Sequence, residues 1–172
     1  SGIPEEVKKL TLKFKYNDIE SCQKLIDEYP DDIACFVFEP ISFSEPKNNF
    51  LHDLRSLCNK YGIVLIFDEV VSGFRFDLGG AQVIAGVQPD LSAFGKAMAN
   101  GFSISALVGK KDIMELAGIE HDKERVFILS STHGGETHCF AAALACINEI
   151  KKNNLIDYFW MIGGEIKLAI HK

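Results

Sequence analysis

The sequence predicts an α/β fold, and three observations carry that reading. Short runs of β-branched and aromatic residues alternate with stretches whose apolar residues recur at helical spacing. The run 63–67, Ile-Val-Leu-Ile-Phe, is apolar throughout, as a strand covered on both faces must be. No internal repeat, low-complexity tract or linker divides the 172 residues, so a single domain spanning 1–172 is expected.

In chain order, a first helix is expected from Asn17, a residue able to cap, with Glu20 three positions on as in a capping box. Ile19, Cys22, Ile26 and Tyr29 follow at helical spacing until Pro30. A strand over 33–38 ends at Glu39-Pro40. A second helix over 49–61 turns Leu51, Leu54, Leu57, Cys58 and Tyr61 to one side, and Gly62 is suited to end it. The strand 63–67 ends at Asp68-Glu69. Shorter strands are expected over 91–94, 105–108 and 126–129. A long helix should follow Gly134-Gly135 and bury Phe140, Leu144, Ile147 and Ile150. A last helix from about Tyr158 carries Phe159, Ile162, Ile166 and Ile170, with Gly163-Gly164 as a weak point inside it.

Composition narrows the function. Hydrophobic residues make up 47%, enough for a core, and the net charge is −6. The basic residues occur singly or in pairs, which argues against nucleic acid or an anionic membrane as partner. Five cysteines, an odd number with no C-x-x-C pair, fit a reducing compartment better than a disulfide framework. With no signal-like or membrane-length apolar run, a cytoplasmic protein is expected.

Ligands of open α/β sheets bind beyond the carboxyl ends of the strands. Here those ends collect Glu39, Asp68 with Glu69, Gly95-Lys96, and Ser130-Ser131-Thr132. Polar residues end most strands, so each alone says little; together they would place a carboxylate, an amine and hydroxyls in one crevice. No G-x-x-x-x-G-K-[ST] and no G-x-G-x-x-G occurs, which removes the common phosphate-loop readings. His133 and His138, five apart around a Gly-Gly, have poor metal spacing, and no metal is expected.

The run Phe67-Asp68-Glu69-Val70-Val71-Ser72-Gly73-Phe74-Arg75 resembles the aspartate motif of class III pyridoxal-phosphate-dependent aminotransferases and of the glutamate-1-semialdehyde aminomutases related to them. Pro89-Asp90-Leu91-Ser92-Ala93-Phe94-Gly95-Lys96-Ala97-Met98-Ala99-Asn100-Gly101 resembles the family's cofactor-lysine segment. Ser131-Thr132-His133-Gly134-Gly135-Glu136-Thr137 resembles its threonine–glycine segment. Three ordered motifs at consistent spacing make a specific match that covers nearly the whole chain.

The resemblance implies a three-layer αβα fold with a mostly parallel sheet, as in the fold-type-I large domain, and pyridoxal 5'-phosphate as cofactor. It implies that Lys96 carries the cofactor as a Schiff base and that Asp68 keeps the pyridine nitrogen protonated. Val70 would pack on the ring, Thr132 would reach the phosphate of the neighbouring subunit of a homodimer, and Glu39 would lie at the substrate pocket. The partners implied are a small amino donor and a keto or aldehyde acceptor. Val71 stands where many relatives acting on diamines have Gln, which brings the chain nearer the aminomutase-like branch. Glu136-Thr137 and Ser103 depart from the aminomutase pattern and favour transfer between molecules, to an acceptor such as a keto-sugar. The family's phosphate-cradling loop and small C-terminal domain have no counterpart here, so the chain is expected to be the middle of the large domain and inactive alone. Two further readings stand: intramolecular amino transfer, and a remnant that only folds or binds a partner.

Overall fold

The computed structural model describes residues 2–118, 121–122, 132 and 134–171. In order they form α1 (Glu5–Lys8), α2 (Ile19–Glu28), β1 (Cys35–Phe38), α3 (Phe50–Tyr61), β2 (Val64–Asp68), α4 (Ala81–Ala85) and β3 (Leu91–Phe94). A 3-10 turn (Lys96–Met98), β4 (Ala106–Gly109), α5 (Lys111–Met114), a second 3-10 turn (Glu115–Ala117), α6 (Thr137–Lys152) and α7 (Leu155–Ile170) complete them. The expected strand over 126–129 lies outside the described residues. The fold is α/β: the described residues form one four-stranded sheet in the order β1-β2-β3-β4, with the first three strands parallel and β4 antiparallel to β3. No helix among the described residues is long and apolar enough to cross a membrane.

Cross-strand partners share a face of a sheet. Phe36, Leu65 and Phe67 therefore point the same way, and all are buried. The second expected helix forms as α3 and seats Leu51, Leu54 and Cys58 on them, with Cys22 and Ile26 of α2 alongside. Leu54 and Leu65 have no exposed surface, and burying each contributes about 2 kcal/mol. Gly62 ends α3 at φ +67°, a left-handed conformation that glycine adopts without strain. Tyr61 departs from expectation. It is 40% exposed, next to the Lys60 ammonium and a hydrogen bond from Gln23, because its hydroxyl finds partners only at the surface. The opposite face of the sheet is more open: Val64, Ile66 and Asp68 are half-buried and Val37 is exposed. The covering on both faces that the apolar run 63–67 suggests is therefore complete on one face only among the described residues.

Three further expectations are corrected. The cap of α2 is Asp18, whose carboxylate accepts the Ser21 N–H at 3.1 Å. Asn17, at φ +64°, instead accepts from Lys47 N–H at 2.8 Å and donates to Glu45 O at 3.0 Å, tying down a loop. In α6 the buried positions are Cys139, Ala143 and Ile150, with Ile147 partly covered, while Phe140 and Leu144 face out. The helix is apolar on two sides, and the side with small residues wins because it can approach the Lys96 turn closely. Cys146 Sγ reaches Ala97 O at 3.3 Å there. Finally, α7 runs unbroken through Gly163-Gly164, but Phe159, Ile166 and Ile170 are exposed. It touches the sheet domain through Trp160, whose Nε1–H donates to Arg75 O at 2.8 Å.

All five cysteines are unpaired, and Cys22, Cys58 and Cys139 are buried. Burial pushes the Cys22 thiol up to about 11 and the Cys58 thiol up to about 12, so both act as small hydrophobes.

Candidate active site

β2 delivers Asp68 as its last residue, and the chain then turns away. Asp68 Oδ1 accepts the Val70 N–H at 3.0 Å, a local turn that orients the carboxylate at the strand tip. Its Oδ2 makes no hydrogen bond among the described residues. The neighbouring strand β3 is in register, with Asp68 opposite Ala93. One residue on, the Glu69 N–H donates to Ala93 O at 2.8 Å, so the two strand ends are laced together.

Beyond β3, Gly95 stays extended and Lys96 turns abruptly at φ +44°. A left-handed backbone at a non-glycine residue costs about 1 kcal/mol, and such strain collects at functional positions. The surroundings enforce it. Met98 N–H and Asn100 N–H donate to Gly95 O and Lys96 O, each at 3.0 Å, and Ala97, Met98 and Ala99 are buried. Lys96 itself is exposed. A Cβ at Gly95 would lie 3.6 Å from Val70 Cγ1, so Val70 lies over the glycine next to the lysine. Asp68, Val70 and Lys96 are thereby brought to adjoining strand ends.

Glu39 follows Phe38, the register partner of Phe67, and so stands level with Asp68 one strand away. It is half-buried; the buried Pro40 behind it accepts the Tyr16 O–H at 2.6 Å. Thr132 is exposed in a turn, while Ser130, Ser131 and His133 lie outside the described residues. Among the described residues, Lys96 and Thr132 are exposed and Asp68 and Glu39 half-buried. A nearby cleft of about 510 Å³, lined by Phe74, Ala97, Asn100 and Trp160 among others, includes neither Lys96 nor Asp68.

Two groupings escaped sequence reasoning. Glu69 has no exposed surface, and its carboxylate accepts from Ser72 Oγ–H, Ala81 N–H at 2.9 Å and Gln82 N–H at 2.8 Å. The available signal was a second acid in an otherwise apolar strand end. At the start of α6, Glu136, His138 and Cys139 bring ligand-type atoms within 4.8 Å of one another, with His138 Nε2 3.5 Å from Glu136 Oε2. The spacing of His133 and His138 gives no sign of this E-x-H-C run.

Similar proteins identify the family of this chain. The family model described as aminotransferase class-III matches residues 3–170. A 3-aminobutyryl-CoA aminotransferase of Cloacimonas acidaminovorans (strain Evry) is 40% identical across 99% of this chain, which spans 41% of that protein. Among solved structures, a transaminase with PLP bound superposes with a TM-score of 0.79 at 26% identity, over 87% of this chain and 36% of its own. An omega-transaminase from Sphaerobacter thermophilus gives 0.77 at 32% identity, over 87% and 34%. The chain therefore spans well under half the length of these relatives. The aspartate and lysine segments lie within the matched region and fold onto neighbouring strand ends, and the chain belongs to the class III aminotransferase family.

Proposed function

We propose that this chain forms the central part of the large domain of a pyridoxal-phosphate-dependent transaminase that works as a homodimer and moves an amino group from a small amine donor to a keto or aldehyde acceptor. One observation carries the reading. An exposed lysine with a strained backbone and a carboxylate with an open oxygen sit on adjoining strand ends, with Val70 over a side-chain-free Gly95 between them. These residues fit the cofactor: Oδ2 of Asp68 is an acceptor for a protonated ring nitrogen, and Lys96 Nζ is an amine for its aldehyde.

When bound, the cofactor supplies an electron sink for the substrate carbon that carries the amine. Lys96 Nζ would hold it covalently and, once released, would take the proton from that carbon. Asp68 Oδ2 accepts the ring N–H and so keeps the proton on nitrogen; a paired charge there is favourable where an isolated one would not be. Val70 would pack on the ring, Thr132 would donate to the phosphate of the neighbouring subunit, and Glu39 would lie at the substrate pocket.

Transfer between molecules is favoured over isomerisation within one. The 40% identical relative is named an aminotransferase, and Ser103 and Glu136-Thr137 are not the aminomutase residues. That relative's name also supports a donor with its amine on the third carbon of an acyl chain. Incubation with donor alone tests transfer between molecules: a transaminase stops after one equivalent per site, and adding a separate keto or aldehyde acceptor restores turnover. The site itself is tested by borohydride reduction of the full-length protein with cofactor. The label is expected on Lys96, and its recovery on another lysine would overturn the assignment. The 172-residue chain alone is expected to bind cofactor weakly and to show no turnover.

A further inference from the structure

We propose that Glu69 is a positioning residue that sets the electrostatic grip of Asp68 on the cofactor ring, an inference that rests on the reading of Asp68 above. Glu69 is the fully buried residue between Asp68 and Val70, and every polar group it owns is tied to a different part of the fold. Its N–H donates to Ala93 O of β3, and its C=O accepts the Gly73 N–H at 2.8 Å. Its carboxylate accepts the Ser72 hydroxyl and the two N–H groups at the start of α4. Gln82, one of these, also holds Ser92 of β3 through its side chain at 3.3 Å. The peptide on the C-terminal side of Asp68 is thus fixed from the adjacent strand, the following turn and the helix beyond it.

The orienting contact of Asp68, Val70 N–H to Oδ1, runs through the residue on the other side of Glu69. Any rotation of the Glu69 peptide swings that N–H and with it the free Oδ2. The fold also reserves space for this carboxylate. A Cβ at Gly80 would meet Glu69 Cδ at 2.6 Å and both carboxylate oxygens within 2.8 Å, at a backbone φ of +87°. A core built only for packing would fill this place with a hydrophobe; here three donors and a bare glycine surround an acid. Glutamine keeps the size but turns one acceptor oxygen into a donor, which in either orientation meets a backbone N–H that also donates, Ala81 at the Oε2 place or Gln82 at the Oε1 place.

The test uses the full-length protein with bound cofactor. The pH titration of the cofactor's absorbance follows the proton on the nitrogen that joins it to Lys96, whose midpoint moves with the ring proton held by Asp68, and titration of cofactor-free protein gives its affinity. Asp68→Asn calibrates the direction of the shift. Glu69→Gln is expected to move the titration midpoint the same way and weaken cofactor binding by about tenfold, the scale of one lost charge-assisted hydrogen bond. Ser72→Ala, which removes one donor of the three, is expected to give a smaller shift of the same sign and decides the matter if Glu69→Gln does not fold. A lowered melting temperature with an unmoved midpoint would make Glu69 merely structural and overturn the proposal. An unmoved midpoint in Asp68→Asn would instead overturn the reading of Asp68, and this inference with it.

Discussion

The two ends of the sheet each hold an acid, and they are built in opposite ways. At the end where β3 begins, Asp90 is 4% exposed and saturated with partners. Arg55 reaches it at 2.7 Å, Lys110 at 2.6 Å and the Leu65 N–H at 2.7 Å. Its own N–H and C=O bond Leu65 O and Lys110 N–H, closing β2, β3 and β4 together. Burial pushes its carboxyl up, but the Leu65 N–H, Lys110 and Arg55 outweigh that and hold it below the usual range. At the end where β2 and β3 finish, Asp68 keeps one oxygen open, and Lys96 is exposed on a strained backbone. The difference teaches where to look for binding. A buried acid whose acceptors are all used fastens strands, whereas an acid at a strand's carboxyl end with capacity left over is available to a ligand.

Substitutions at the two ends should therefore separate activity from stability. The largest effect is expected for Lys96→Ala in the full-length protein. Removing both the covalent anchor and the proton carrier should lower turnover at least about 1,000-fold, with circular dichroism unchanged. An active Lys96→Ala protein would remove the distinction between the ends.

Asp90→Ala should do the reverse. It leaves the half-buried Arg55, whose Nε has no hydrogen-bond partner among the described residues, facing an empty acceptor site, at a cost of about 3 kcal/mol in a denaturant titration. The pH dependence follows from the lowered carboxyl. Its stabilisation is present above the unfolded value, about pH 4, and fades as the pH falls through the lower folded value. The gap between native protein and Asp90→Ala should accordingly narrow in acid; a gap that widened there would contradict the assignment of charge. Next in size, Asp68→Asn should cost about 100-fold in turnover with little change in stability. Full turnover in that variant would mean that the ring nitrogen has another partner.

How much of this was legible in the sequence depended on whether local pattern or packing decided the outcome. The β3 strand, the α3 helix with its Gly62 end, and the Asp68 and Lys96 strand ends were all readable, because period, turn chemistry and motif are local. The buried side of α6 was not. Phe140 and Leu144 are more hydrophobic than Cys139 and Ala143, yet the closeness of the Lys96 turn selects small residues, and that turn lies about forty positions earlier in the chain. Glu69 was readable only as one of the polar residues that end the strand 63–67, beside Asp68; the convergence of Ser72, Ala81 and Gln82 on it is set by the folded chain. The short α4 and α5, of five and four residues, are held by their neighbours and have no periodic pattern to find.

The smallest predicted effect tests the carboxyl end of the sheet at a position away from the chemistry. Two adjacent residues compete for one role there. The sequence favours Asn17 as the cap of α2, because Glu20 follows three residues later; the folded chain uses Asp18, which accepts the Ser21 N–H, and turns Asn17 toward Glu45 and Lys47. Asp18 wins because Asn17 occupies the left-handed region, while a side chain that caps a helix typically sits on an extended backbone, and Asp18 has one at φ −132°. Asp18→Ala should cost about 1 kcal/mol in stability, the usual value of a lost cap, and leave turnover unchanged. Amide exchange distinguishes the two roles residue by residue. Asp18→Ala should speed exchange at Ser21 and leave Lys47 protected, and Asn17→Ala should do the opposite. If Asn17→Ala exposed Ser21 instead, the cap would be the one the sequence suggests. If Asp18→Ala also lowered turnover, the start of α2 would be coupled to the site through the Tyr16–Pro40 hydrogen bond and Glu39, and the carboxyl end of the sheet could no longer be divided into a binding part and a supporting part.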